Sequence, residues 1–340
     1  MDLMYIRTFK DGPSDSGYLH HYEADFDIST DTETSNNDFE IKMALPESAE
    51  GLLYSENKIS SMVFVEGTEY GGIVKGSSIN IEEKTITYTG RTWRGLLHQY
   101  IIEPPAGQDY LIVSGNLAET IRTLPMHPLI AVLNTEYEGG TFQFDRYITT
   151  QDGINKLLNA EDPDLRFSMR FIQTEGGYTG TAELEIVKVR DLTSRVEVSQ
   201  DFNDSIGLTI TRDHNTPRHL ICLGRGELHE REVIHLYADE DWNIQDAEIP
   251  GAFPVETYDF SSSEALRDDG IKRFTELISN HKQIDVSISD LDVRLGDIIS
   301  ARDHLTGENV QAEISNIVYK CSDFGTYQQE SYEYKTKVRI

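Results

Sequence analysis

The chain has 340 residues, of which 38% are apolar, so it is long enough for two or three domains with buried cores. Thirty basic residues against fifty-nine acidic ones leave a formal net charge of −29, which disfavours a protein that grips DNA, RNA or an anionic membrane. The sequence holds no apolar run of about 20 residues, the length that a membrane-spanning helix needs. Its first residues lack the apolar core of a secretion signal, so we expect folding in the cytoplasm.

The first hundred residues alternate between apolar and polar side chains, as strands with one buried face do. Residues 22–28 and 39–45 show this pattern most clearly, and SMVFVEG, YGGIVKG and KTITYTG follow at short spacing. Turns that contain glycine separate these segments, which is typical of an antiparallel barrel or sandwich. We therefore predict a first β-barrel domain over residues 1–100.

The next segment mixes short helix patterns with strand patterns. WRGLLHQYII predicts a helix that two prolines end, NLAETIRTL a second helix capped by Asn116, and QDGINKLLNA a third capped by Thr150. DYLIVSG and TFQFDRYIT predict strands, and two more strands flank Gly176 and Gly177 as a hairpin. Residues 101–190 are therefore predicted to form an α+β insertion domain.

Strand patterns return in RHLICLGRG and EVIHLYAD, so residues 191–240 are predicted to lead back towards the first barrel or on to a second one. The longest helix pattern is SSSEALRDDGIKRFTELIS, with Ser262 or Ser263 as its cap. Further strand patterns follow it to the end of the chain. Residues 241–340 are accordingly predicted to form a helix and a second β-barrel domain.

The segment GRTWRG joins the last strand of the first domain to the first predicted helix. A phosphate-binding P-loop would need a Lys followed by Ser or Thr at fixed spacing, and it would follow a strand of a parallel sheet. This segment has no such Lys and follows an antiparallel set. We predict a structural corner, in which Gly90 and Gly95 permit close turns while Trp93 and Leu96 pack the junction between barrel and insertion.

Three arginines are candidates for ion pairs near subunit contacts, namely Arg91, Arg94 and Arg225. The fifty-nine acidic residues supply many partners for them. Arg225 lies between two glycines in GRGE, a pattern that favours a tight hairpin over an arginine presented to a neighbour.

Four histidines between His214 and His235 lie near several acidic residues and resemble a metal-ligand set in composition. Their spacing matches no recurring zinc pattern, and HExxH is absent. No GxSxG elbow marks a serine nucleophile, and Cys222 and Cys321 belong to no CxxC pair or nucleophile motif. We therefore predict no catalytic residue, no metal and no cofactor, and two buried thiols.

Three long phrases carry a resemblance to a known family. They are YTGRTWRGLLHQYIIEPPAGQDYLIVSG, the stretch from SRVEVSQDF to HLYAD, and LGDIISARDHLTGENVQAEISNIVYK. They resemble phage tail baseplate-hub proteins, a family that includes the hub of contractile tails and the N-terminal hub region of tail-associated lysins in long-tailed phages and prophages of Gram-positive bacteria. The phrases touch the start, the middle and the end of the chain.

The resemblance implies a mainly β fold with α+β parts: two β-barrel-like domains, an α+β insertion and a small helix-containing domain. It implies a homotrimer at the virion tail tip, in which two similar barrels from each chain imitate a sixfold ring. The implied partners are the distal tail ring protein, the tape-measure protein and receptor-binding tip proteins. Such a hub closes the tail tube and opens on infection, and its acidic charge would let DNA pass without being held.

The sequence ends soon after its last strand pattern, which predicts a bare, non-enzymatic hub unless the chain is the hub part of a longer protein. Two alternatives stay open. One is a peptidoglycan-degrading lysin that uses the histidine cluster or an acid pair. The other is a carbohydrate-binding tip module that presents aromatic side chains, for which the seventeen tyrosines are candidates.

Overall fold

A computed structural model describes residues 2–10, 14–30, 37–48, 51–53, 58–194, 197–199, 207–212, 215–251, 253–261, 265–279, 282–288, 292–302 and 309–338. Their contacts divide the chain into two units. The first comprises Met1–Asp191, Ser287–Ile298 and Ile314–Tyr334, and the second comprises Leu192–Val286, Ile299–Glu313 and Lys335–Ile340. The boundaries of the four predicted domains stay a prediction.

The first unit begins with seven strands, which are β1 (Met4–Phe9), β2 (Asp15–Tyr18), β3 (Tyr22–Ser29), β4 (Asp38–Ala44), β5 (Lys58–Phe64), β6 (Gly71–Asn80) and β7 (Thr85–Thr92). Short helices and strands follow: α1 (Trp93–Leu97), β8 (Ile101–Ile102), β9 (Ile112–Asn116), α2 (Leu117–Arg122), β10 (Ile130–Val132), β11 (Glu138–Gln143), β12 (Ile148–Thr149), α3 (Thr150–Glu161), β13 (Leu165–Gln173) and β14 (Gly180–Lys188). The class is mainly β, as the sequence predicted.

The remaining elements are β15 (Glu197–Ser199), β16 (Gly207–Arg212), β17 (His219–Leu223), β18 (Val233–Ala238), β19 (Ile244–Gln245), β20 (Val255–Asp259), α4 (Leu266–Ser279), β21 (Lys282–Ile288), β22 (Ile298–Arg302), β23 (Asn309–Asp323) and β24 (Gln328–Val338). In the second unit β19, β18, β17 and β20 form a sheet in that order, and α4 shares a buried apolar cluster with it. The predicted caps Ser262 and Ser263 lie outside the described residues.

The large sheet of the first unit runs in the order β24, β23, β3, β4, β7, β6, β5, β1, β2. The C-terminal strand β23 pairs antiparallel with β3, from Asn316 opposite Ser29 to Asp323 opposite Tyr22. Strands from the two ends of the chain are therefore neighbours in this unit. In the insertion, β13 and β14 form the predicted hairpin, and β10 joins β14 in parallel.

The second half of strand β5, from Ser61 to Phe64, is buried, and its side chains pack on both faces of the large sheet. Met62 and Phe64 belong to one apolar cluster, which also contains the buried apolar residues of α1, α2 and α3. Val63 belongs to a second cluster, which also contains residues of β3, β4, β6, β7 and β23. Because successive side chains of a strand point to opposite faces, one strand can serve both clusters. The large sheet is thus packed against the insertion along β5.

The predicted helix WRGLLHQYII is shorter than the sequence indicated. α1 ends at Leu97, and Ile101–Ile102 is a strand that pairs with β12. The predicted strand TFQFDRYIT is likewise split into β11 and β12, which pair with different strands, β9 and β8. Tyr147, just before β12, has a positive φ of 58°, which breaks the extended run. Strand pairing therefore overrides the local helix and strand patterns here.

The cap of α3 lies one residue earlier than predicted. The hydroxyl of Thr149, not that of Thr150, accepts a hydrogen bond from the backbone N–H of Asp152 at 3.1 Å. The hydroxyl of Thr150 instead donates to the carbonyl of Pro125. The predicted cap Asn116 is confirmed, since its side chain accepts from the first turn of α2.

Candidate functional site

The segment GRTWRG forms a corner at the end of β7 and the start of α1. Thr92 caps the helix by accepting a hydrogen bond from the N–H of Gly95 at 3.3 Å. A Cβ on Gly95 would lie 2.1 Å from the carbonyl oxygen of Asn37, and one on Gly90 would lie 2.1 Å from that of Ile73. Both glycines are therefore needed because neighbouring backbone approaches closely.

Trp93 is fully buried at this corner and stacks on Phe171 of β13, with ring centroids 4.6 Å apart and an interplanar angle of 9°. Phe171 also contacts Phe64 of β5, at 4.5 Å between centroids. Leu96 is buried in the same cluster. The stack therefore joins α1 to β13 of the insertion sheet, and Phe171 in turn contacts β5 of the large sheet. The predicted role of Trp93 and Leu96 as the joint between two domains stays a prediction.

Arg94 is also buried, and its partners lie within the chain. Its Nε is 2.6 Å from Oε1 of Glu69, and its Nη2 donates to the carbonyl of Phe167 at 3.0 Å. The guanidinium carbon lies 4.1 Å from the centroid of the Phe167 ring. The other carboxylate oxygen of Glu69 accepts from the N–H of Met169 at 3.4 Å. The ion pair thus joins α1 to the β5–β6 turn and to β13.

The β5–β6 turn continues this junction through its backbone. The N–H of Gly67 donates to the carbonyl of Phe171, and the N–H of Phe171 donates to the carbonyl of Thr68, each at 2.9 Å. The carboxylate of Glu66 accepts from the N–H of Gln173 at 3.1 Å. Sequence reasoning found the corner but missed these partners, because a contact between distant segments leaves no local pattern. The strand pattern of β13 could show only that Phe171 is buried.

The other two predicted arginines lie in different surroundings. Arg91 is half-buried on β7, opposite Asp38 of β4. Burial raises the pKa of Asp38, and the positive charge of Arg91 partly offsets that rise. Arg225 is exposed in the connection between the antiparallel strands β17 and β18, where Gly226 has φ 97°. The two strands form a hairpin, but nine residues, 224–232, join them, so the connection is longer than the predicted tight turn. The proposed subunit-contact role of Arg91, Arg94 and Arg225 stays a prediction.

The histidine cluster is only partly assembled. His219 Nε2 lies 2.9 Å from His235 Nδ1, while His229 is exposed near Glu230. Burial, and then the neighbouring charge of His235, lower the pKa of His219. His214 lies outside the described residues. Among the residues that are described, no three His, Cys, Asp or Glu side chains converge on a position that could hold a metal ion.

Both cysteines are buried, unpaired thiols. Burial raises the pKa of Cys321 to about 11, and it also raises that of Cys222. A thiol with a raised pKa is a poor nucleophile at neutral pH, because the thiolate is the reactive form. The geometry of these residues favours packing.

A cavity of about 520 Å³ opens beside the Arg94–Glu69 pair. Its walls carry further ion pairs, such as Arg170 with Glu183 at 2.8 Å. Arg190 and the buried carboxylate of Asp297 form another pair in the same wall, at 2.5 Å. Three arginines of the wall, Arg94, Arg170 and Arg190, are therefore each paired with a carboxylate of the same wall. The described helices include none that is both long enough and apolar enough to cross a bilayer.

No family model matches the sequence, and no curated protein matches it either. Solved structures do match, each over 99% of this chain. The 43 kDa tail protein of prophage MuSo2 from Shewanella oneidensis aligns with a TM-score of 0.62 at 12% identity over 98% of its length. A tail protein from Neisseria meningitidis MC58 gives 0.57 at 12% over 97%, and a prophage tail protein from Listeria monocytogenes EGD-e gives 0.52 at 11% over 94%. The chain has the fold of these tail proteins.

The likeness covers nearly the whole of both partners in each comparison, so it includes the insertion and the C-terminal strands as well as the first sheet. The resemblance found in the sequence is thereby confirmed at the level of the fold. Identity of 11–12% is too low to carry over the role of any single residue.

Proposed function

We propose that this chain is a structural component of a phage or prophage tail, a hub at the tail tip. One observation carries the proposal: its fold is that of three tail proteins over 94–98% of their lengths. The buried corner supports a structural role, because Trp93, Arg94 and Glu69 are engaged in packing and pairing. The three long phrases of the sequence favour the hub among the proteins of a tail.

In this proposal the chain forms a homotrimer around a channel. The trimer joins the tail tube, through the distal tail ring protein, to receptor-binding tip proteins, and it holds the end of the tape-measure protein until infection. The channel then opens and DNA passes through. The net charge of −29 per chain suits a conduit, since an acidic surface limits contacts with phosphate.

Purified protein and tail particles test the proposal together. Native mass spectrometry of the protein should give three times the monomer mass, and antibodies against it should label one end of tail particles in electron micrographs. Labelling along the tail, or none, would contradict a place at the tip. The same protein should retain no duplex DNA in a gel-shift assay at physiological salt.

The two alternatives predict different results for the same sample. A lysin would clear a band in a gel that contains cell walls, and a metal-dependent one would carry a stoichiometric metal. A carbohydrate-binding module would sediment with purified cell walls. We expect neither lysis nor sedimentation. Lysis would overturn the non-enzymatic assignment, and sedimentation would overturn the hub assignment.

A further inference from the structure

Strand β13 lies at one end of the three-stranded insertion sheet, whose order is β10, β14, β13. It is nine residues long and pairs with β14 along its whole length, from Leu165 opposite Lys188 to Gln173 opposite Gly180. Among the strands that the structure describes, none pairs with the other edge of β13. A sheet edge presents backbone N–H and C=O groups to which another chain can add a strand, unless the protein covers them.

The β5–β6 turn covers one end of this edge. The N–H of Phe171 donates to the carbonyl of Thr68, and the carbonyl of Phe171 accepts from the N–H of Gly67, each at 2.9 Å. Both backbone groups of a residue in an antiparallel strand point the same way, so the odd-numbered residues of β13 direct theirs away from β14. Two positions along, the N–H of Gln173 donates to the carboxylate of Glu66 at 3.1 Å. The turn thus stands where a neighbouring strand would lie.

The Arg94–Glu69 pair continues this cover along β13. Nη2 of Arg94 donates to the carbonyl of Phe167 at 3.0 Å, and Oε2 of Glu69 accepts from the N–H of Met169 at 3.4 Å. Both of these backbone groups belong to odd-numbered residues, as at Phe171. A guanidinium supplies only donors and a carboxylate only acceptors, so the two side chains together satisfy backbone groups of both kinds.

From these contacts we infer that the Arg94–Glu69 pair protects the edge of β13 against the addition of a strand from another chain. Covering loops and charged side chains are means by which soluble proteins protect sheet edges, and this edge has both. Stability alone does not explain the pair, since apolar side chains of the same size often stabilise a buried site as well as an ion pair does. The inference goes beyond the proposed function, because it requires neither a trimer nor a tail.

Two substitutions at position 69 separate edge protection from stability. Glu69→Ala removes the acceptor that the Met169 N–H uses, whereas Glu69→Gln removes the charge but keeps a side-chain oxygen that can accept. Both break the ion pair, so both should lower the melting temperature. We expect Glu69→Ala to self-associate beyond the state of the wild type in sedimentation velocity, and Glu69→Gln to keep the wild-type state. Glu69→Leu fills the site without an acceptor and provides the same test if Glu69→Ala does not fold.

Hydrogen exchange and a third variant complete the test. The Met169 amide should exchange about tenfold faster in unassociated Glu69→Ala than in Glu69→Gln, and it should be protected again once strands have added. Phe274→Ala controls for lost stability, because it opens a cavity under α4, in the second unit, and should not associate. An unchanged Met169 amide, or faster exchange without association, would overturn the inference. Equal association of Glu69→Gln or Phe274→Ala would overturn it too, since lost stability would then be the cause.

Discussion

Arg94 and Glu69 form the most deeply buried ion pair of the corner, with 1% and 10% of their side chains exposed. Removing one partner leaves the other charge buried without compensation. We therefore expect Glu69→Gln or Arg94→Met to lower the free energy of unfolding by about 3–5 kcal/mol, measured by urea denaturation. Lys156→Met is the control, because it breaks a pair of 2.7 Å whose side chains are 57% and 64% exposed, and it should cost less than about 1 kcal/mol. Equal losses would contradict this account of the corner.

Gly95 is one of the two glycines at which the corner tolerates no side chain. Gly95→Ala would bring Cβ within 2.1 Å of the Asn37 carbonyl oxygen, so the backbone must move. We expect a loss of about 1–3 kcal/mol of unfolding free energy, the usual cost of overpacking. A Cβ on Gly140 would stand 3.7 Å from its nearest neighbour, and Gly140→Ala should change stability by less than about 0.5 kcal/mol. Thermal unfolding of both variants checks the difference.

Cys321 makes stability depend on pH at the alkaline end. Burial raises its pKa from 9.0 to about 11, so the folded chain keeps the thiol proton that the unfolded chain releases. This contribution is fully present below pH 9 and is lost as pH rises to 11, at up to about 1.4 kcal/mol per pH unit. Urea unfolding at several pH values should show a shallower decline for Cys321→Ala than for the wild type. Identical slopes would show that the thiol ionises equally in both states.

At the scale of elements, Trp93 stacked on Phe171 holds α1 against β13. Trp93→Ala opens a large cavity there, which we expect to lower the unfolding free energy by about 3–5 kcal/mol. Hydrogen exchange shows which elements of the fold lose stability in the variant. Amides of β13 should exchange faster in the variant, whereas those of β17, which belongs to the separate sheet of the second unit, should keep their rates. Faster exchange in β17 as well would mean that the variant has lost more than this contact.

Sequence patterns predicted those elements whose boundaries are set locally. Alternation defined β3 and β4, and side-chain capping placed the start of α2 at Asn116. The patterns failed where a partner strand decides the structure, as at Ile101–Ile102, which left the predicted helix to pair with β12. The segment GRTWRG was recognised as a corner from its sequence. The ion-pair partner Glu69 was not found, because it lies 25 residues before Arg94 and no local sequence pattern links the two residues.

At the scale of the whole chain, the first unit contains strands from both ends of the sequence. Tyr319 of β23 stacks on Tyr70, with ring centroids 4.3 Å apart. Phe26 of β3 also stacks against the Tyr319 ring, with centroids 6.3 Å apart. The sequence does not reveal that a C-terminal strand pairs with an N-terminal one, since alternation predicts that a strand exists but not which strand pairs with it. The fold class was therefore predictable, whereas the pairing of β23 with β3 was not.

The central claim is that three copies of this chain surround the channel at the tip of a phage tail. Cryo-electron microscopy of intact tail particles tests it most directly. The claim predicts density at the tip into which three copies of the first unit fit around the tail axis, with the corner residues Trp93 and Arg94 buried inside each copy. A tip whose density excludes this fold, or a protein absent from the particle, would contradict it.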